Sequence, residues 1–190
     1  MTTVSERRQH LDFDATWRVL KWDLSAEFSG SMSIALNALP GEGVKAADVV
    51  GSRNGRRPTL MVAEFKDYSH PQAVATGQSQ SQVALRDVMR KVMDSIVGAT
   101  FAHNATGARC VELRERRAVS ATQPAVLVLF CVETTPTQAA IVVNAWRTEL
   151  QRRLNWLGPG AQIVVTCGAS AFRKLGIIYR VQWCVPGPAT

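Results

Sequence analysis

The chain has 190 residues, 46% of them apolar, enough for one sizeable core but short for two independent ones. Lys and Arg number 22 against 15 Asp and Glu, giving a net charge of +7 and a pI near 9.7. That balance favours polyanionic partners through counterion release, nucleic acid first, with a merely solvated basic surface as the competing reading. The first residues are polar and charged and no apolar run approaches bilayer length, so neither a secretory signal nor a membrane contact is expected and the chain reads as cytoplasmic.

One domain spanning residues 1–190 is expected, with its core over about 16–185; residues 1–14 show no periodicity and are expected to be mobile or to form a short helix. The alternation around Trp17 and Val19 begins a strand, with a helix over 15–28 as its competitor. Residues 31–39 set Met32, Ile34 and Leu36 against Ser31, Ser33 and Asn37, the period of a half-buried strand, and 40–43 read as a turn. A second strand is expected over 44–50, a hairpin turn at Asn54-Gly55 within 51–58, and a third strand over 60–66, the three making an antiparallel meander.

After a loop holding Tyr68, His70 and Pro71, residues Leu85, Met89, Val92 and Ile96 recur at helical spacing, with Arg86, Arg90, Lys91 and Asp94 assigned to the other faces. Residues 99–123 are Arg-rich and resist assignment. The apolar run 125–132 reads as a central strand covered on both faces. Thr135-Pro136-Thr137-Gln138 resembles a capping box opening a helix, whose stripe is Ala139, Val143, Trp146, Leu150, Leu154 and Leu157. Strands over 161–167 and 177–185 follow. Cys110, Cys131, Cys167 and Cys184 lack zinc-ligand spacing and have only His10, His70 and His103 as imidazole companions, so reduced, mostly buried thiols are expected.

Charged residues inside core-like strands are costly unless paired or functional. Asp48 interrupts Ala-Ala and Val-Val, and Glu64 and Lys66 interrupt a strand of Leu, Met, Val, Ala and Phe. Alternation puts Glu64 and Lys66 on one face, and the hairpin brings Asp48 to that same face. Two converging carboxylates repel, and a divalent cation removes the conflict. Mg²⁺ takes one or two carboxylates with other oxygen ligands, so Asp48, Glu64 and the backbone carbonyl of Phe65 form a candidate ligand set. Such an ion polarises a phosphodiester and acidifies water, with Lys66 placed to orient the attacking water or offset developing charge. A structural acid–base pair or an exposed sheet face is the competing reading.

The run Lys45-Ala-Ala-Asp48-Val-Val-Gly51, followed by Leu60-Met-Val-Ala-Glu64-Phe-Lys66-Asp-Tyr68, resembles the PD-(D/E)xK, or restriction-endonuclease-like, nuclease superfamily. The resemblance covers roughly residues 32–100, and the later helix and apolar strand are similar to the rest of that family's core. It implies an α/β fold with an αβββαβ core, a central mixed sheet flanked by helices. It also implies Mg²⁺-dependent cleavage of nucleic acid, usually DNA, with Mn²⁺ as a substitute ion, Asp48 and Glu64 as ligands and Lys66 as catalytic base or stabiliser.

Family members often add an acid from an initial helix, for which Asp23, Glu27 and Glu42 are candidates, Glu27 being the one chosen. They also often add a Gln or Lys from the next helix, for which Gln78, Gln80 and Gln82 are available. Tyr68, His70, Gln78 and Gln82 are thus candidate substrate contacts, against an ordinary loop and a polar helix surface. The leading expectation is an endonuclease acting on DNA, RNA remaining open, in a restriction, repair or phage-defence setting. Its rival is a non-cleaving nucleic-acid-binding or assembly subunit that retains the fold. A homodimer, through the last strand around Trp183, or a place in a larger complex is the expected assembly.

Overall fold

A computed structural model of the chain describes residues 1–25, 28, 44–54, 57–76, 82–104 and 125–182. These form strands β1 (Thr2–Glu6), β2 (Gln9–Phe13), β3 (Trp17–Lys21), β4 (Val49–Arg53) and β5 (Thr59–Asp67), then helices α1 (Pro71–Ala75) and α2 (Gln82–Asn104). Strand β6 (Ala125–Glu133), helix α3 (Pro136–Arg153) and strands β7 (Gln162–Thr166), β8 (Ser170–Phe172) and β9 (Ile177–Val181) complete the order. Among the described residues no helix is long and apolar enough to cross a membrane.

The class is mixed α/β. A five-stranded sheet runs β3-β4-β5-β6-β7, antiparallel through β5 and parallel from β5 to β7. Strand β6 lies inside the sheet, between β5 and β7, because its alternating apolar residues satisfy two cores. Val126, Val128, Phe130 and Val132 face α2 and α3, packing with Val88, Val92, Val142 and Trp146. Leu127, Leu129 and Cys131 face the other way, onto Leu11, Phe13, Ile177 and Tyr179 of a second sheet, ordered β1-β2-β9-β8. The rings of Phe130 and Trp146 lie 4.5 Å apart at 47°, a tilted contact that contributes about 1 kcal/mol beyond its buried area.

That second sheet corrects the expectation of helices on both sides of the central sheet, and of a mobile or helical segment at 1–14. Residues 1–14 pair as β1 and β2, and β2 pairs with β9, Leu11 opposite Tyr179 and Phe13 opposite Ile177. Gln9, Leu11 and Phe13 point inward, an alternation too brief to stand out from the charged residues around it. The last expected strand ends at Val181; Trp183, with the interface expected there, lies outside the described residues.

The meander is present, with different strands. Residues 17–21 form a strand rather than a helix and pair with β4, taking the place expected for 31–39, which lie outside the described residues. Strand β4 begins at Val49 rather than 44, for a local reason. The Lys45 N–H donates to Asp94 Oδ2 at 2.9 Å and the Ala47 N–H to Ser95 Oγ at 2.9 Å, both on α2. Backbone donors engaged by a helix are lost to a sheet ladder. Gly51, expected in the turn, lies within β4, where a Cβ would stand 2.9 Å from both Met61 Cε and Val19 Cγ1 and 3.3 Å from the Arg18 carbonyl oxygen. Gly51→Ala should therefore lower stability by about 1–3 kcal/mol, as overpacking does; denaturant unfolding measures it.

Helix α3, with Pro136 in its first turn, buries Trp146 and Leu150 of the expected stripe, but Val142 is buried while Val143 is only partly so, and the helix ends at Arg153, before Leu154 and Leu157. The capping box does not form. Thr135 makes no side-chain cap bond, and the Gln138 Oε1 instead accepts from Thr134 Oγ1 at 3.4 Å.

Candidate active site

The strand spacing that singled out Asp48, Glu64 and Lys66 brings all three to the helix-covered face of the large sheet. Val49 pairs with Ala63, so continuing the register by one residue sets Asp48 against Glu64. Asp48 stands just before β4, and its Oδ2 accepts the Phe65 N–H at 2.7 Å, closing the ladder where β4 begins. A charge-assisted bond of this kind fixes the carboxylate. The N–H and C=O of one strand residue share a strand edge, so the Phe65 carbonyl opens on the Asp48 side, as its proposed ligand role requires.

Glu64 is 1% exposed. Its Oε1 receives Lys66 Nζ at 2.8 Å and Lys91 Nζ at 2.7 Å, while its Oε2 is buried without a hydrogen-bond partner. Burial, reinforced by the Asp48 charge, pushes the Glu64 carboxyl up to about 7 despite the two ammoniums. Burial opposes the charged form of Lys66, but Glu64 and the charges of Asp48 and Asp87 outweigh it and raise its affinity for a proton. Lys66 thus remains an ammonium at neutral pH, which suits charge stabilisation better than proton abstraction.

Two neighbours come from α2. Lys91, assigned from sequence to an outer face of this helix, turns toward β5. Asp87, one turn earlier, receives Lys45 Nζ at 2.6 Å and lies 3.9 Å from Lys66 Nζ. Burial raises the Asp87 carboxyl, but its bond to Lys45 and the lysine charges outweigh that and hold it below the usual carboxylate range. Lys91 comes from α2, the long helix that follows β5, where Gln78, Gln80 and Gln82 were the candidates named. Gln78 and Gln80 lie outside the described residues, as does the side chain of Gln82, whose backbone opens α2. Asp87 and Lys91, four residues apart, share one helix face.

The remaining candidates divide. Tyr68 is buried, and burial with the charges of Glu64 and Asp87 pushes its phenol up to about 12, so it belongs to the site's wall as a neutral hydroxyl. His70 caps α1, its Nδ1 accepting the Ala73 N–H at 3.2 Å, a structural use that accounts for that ring nitrogen. Glu27 and Glu42 lie outside the described residues. Asp23 follows β3 in the short helical turn Trp22–Leu24, and the Trp22 N–H donates to the Asp48 carbonyl at 2.9 Å. The Asp23 carboxyl is raised by desolvation, opposed by Lys21 and reinforced by the Asp48 charge.

Among the described residues no group of three or more His, Cys, Asp and Glu side chains converges as a metal-binding cluster. The donor set is two carboxylates and a carbonyl, all hard oxygens. With the unpartnered Oε2 of Glu64 it fits an ion such as Mg²⁺, which retains several waters and accepts few protein ligands. Comparison with protein-family models, with curated proteins and with solved structures finds no match to this chain.

Proposed function

We propose that this chain is a metal-dependent nuclease of the PD-(D/E)xK type, with a restriction-endonuclease-like core, hydrolysing phosphodiester bonds in DNA. The observation that carries the reading is the buried Glu64 carboxylate. It faces Asp48 across the β4–β5 register, shares an oxygen with Lys66, and keeps Oε2 without a hydrogen bond. A buried unsatisfied acceptor is uncommon in folded proteins and calls for an explanation, which a bound cation beside a carboxylate supplies.

Bound at Asp48, Glu64 and the Phe65 carbonyl, Mg²⁺ or Mn²⁺ would supply Lewis-acid polarisation of the phosphate and acidification of water. The chain's own residues do the rest. Asp48 is locked by the Phe65 N–H, Lys66 offers an ammonium to charge developing on the phosphate oxygens, and the net charge of +7 favours the polyanion. A restriction, repair or phage-defence role, in a homodimer or a larger complex, fits this chemistry.

The experiment is incubation of supercoiled, linear and single-stranded DNA, and of RNA, with and without Mg²⁺. Nicking or linearisation of DNA only with the ion supports the proposal; no cleavage of any substrate in Mg²⁺ or Mn²⁺ would remove it. One observation favours the rival reading, a nucleic-acid-binding subunit without cleavage. Lys66 and Lys91 already balance the charge of Glu64, as they would in a purely structural cluster. In that case DNA is retained in a mobility-shift assay and remains uncut.

A further inference from the structure

Glu64 has two cationic partners on one oxygen and no hydrogen-bond partner on the other. Lys66 and Lys91 both close on Oε1, at 2.8 and 2.7 Å, and Oε2 is buried beside them. The two lysines are differently held. Lys66 stands between Glu64 and Asp87, 3.9 Å from the second, and Asp87 is itself pinned by Lys45 at 2.6 Å. The ion pair of Lys91, among the described residues, is with Glu64 alone. Its ammonium arrives from a different element, α2, on a flexible four-carbon stem that can swing without disturbing the strand.

We propose that Lys91 is the resident counter-ion of the site, a positioning residue whose ammonium occupies the charge position of a divalent cation beside Glu64 and yields when the cation enters. The inference rests on the metal-site reading above and adds a device to it. The site stays charge-balanced and folded without its ion, and cation entry releases an ammonium from Glu64. While it stays on Oε1, the Lys91 ammonium would repel a divalent cation held by the same carboxylate, enough even at the permittivity of water to weaken binding by about tenfold. A lysine retained this close to a metal ligand is therefore a brake on loading.

The experiment is calorimetric titration of Mg²⁺ into the metal-free full chain at about pH 8.5, above the range in which Glu64 takes up a proton. Lys91→Met keeps the length and packing of the stem but removes its charge, and should bind Mg²⁺ at least about tenfold tighter than the wild type. Lys91→Arg keeps the charge and should bind as the wild type does. Equal or weaker binding by Lys91→Met, or tighter binding by Lys91→Arg, overturns the role of Lys91 and leaves the metal site standing. No Mg²⁺ binding by the wild type or any variant removes the metal site itself, and this proposal with it. Should Lys91→Met not fold, Lys91→Gln is held to the same tenfold criterion.

Discussion

Lys66→Ala should reduce Mg²⁺-dependent cleavage of supercoiled DNA by at least about a hundredfold, the loss typical of removing one donor aimed at developing transition-state charge. The fold should survive, because Glu64 keeps Lys91 at 2.7 Å as its counter-charge. Asp48→Ala should go further and abolish ion-dependent cleavage, since it removes one of two carboxylate donors and frees the Phe65 N–H that now closes the β4–β5 ladder. The two variants differ in their response to the ion. Saturating Mg²⁺ should restore nothing to Lys66→Ala, whose defect lies in charge stabilisation. Asp48→Ala should also lose the dependence of its melting temperature on Mg²⁺, because an ion that binds only the folded state stabilises it by mass action. Cleavage rates and thermal melts on the same preparations separate these effects.

The second large effect is on stability rather than catalysis. The Glu64 carboxyl is pushed up to about 7 by burial and by Asp48. A carboxyl raised in the folded state binds its proton more tightly there than in the unfolded chain, so its contribution to stability is full below the unfolded value and lost as pH rises through the folded one. With the ordinary glutamate value of 4.5 in the unfolded chain, the metal-free protein should lose up to about 3 kcal/mol between about pH 5 and about pH 8. Glu64→Gln should flatten that slope, since an amide has no proton to exchange. Saturating Mg²⁺ should flatten it in the wild type by taking the proton's place. Urea unfolding at the two pH values, with EDTA or with Mg²⁺, reads all three. Asp12, Asp67 and Asp87 are shifted the other way, each lowered by its hydrogen bonds and neighbouring charges, so they act at more acidic pH; Asp23, raised by desolvation, acts with the same sign as Glu64, and the Glu64→Gln variant isolates the Glu64 share.

The proposed triad was legible in sequence because its residues break a local rule. An acid inside Ala-Ala and Val-Val, and an acid and a base inside an apolar strand, stand out against what burial tolerates, and strand alternation then fixes their shared face. Strands β5 and β6, helix α3 and the hairpin were legible because their signals are local: an apolar strand run, a helical stripe and an Asn-Gly turn. The hairpin of β1 and β2 was not, because its partner β9 lies about 170 residues away and neither five-residue strand declares itself without it. The start of β4 was hidden because α2, through Asp94 and Ser95, takes the backbone donors a ladder would use. Lys91 was one cation among several on an amphipathic helix. Which of them meets Glu64 depends on how that helix lies on the sheet, a tertiary fact with no local signature.

The central claim is that Asp48 and Glu64 hold a divalent cation, and calorimetric titration of Mg²⁺ or Mn²⁺ into the wild type and Asp48→Ala tests it most directly. The account predicts saturable binding by the wild type that Asp48→Ala removes. Binding of equal strength in both proteins, or in neither, would contradict it.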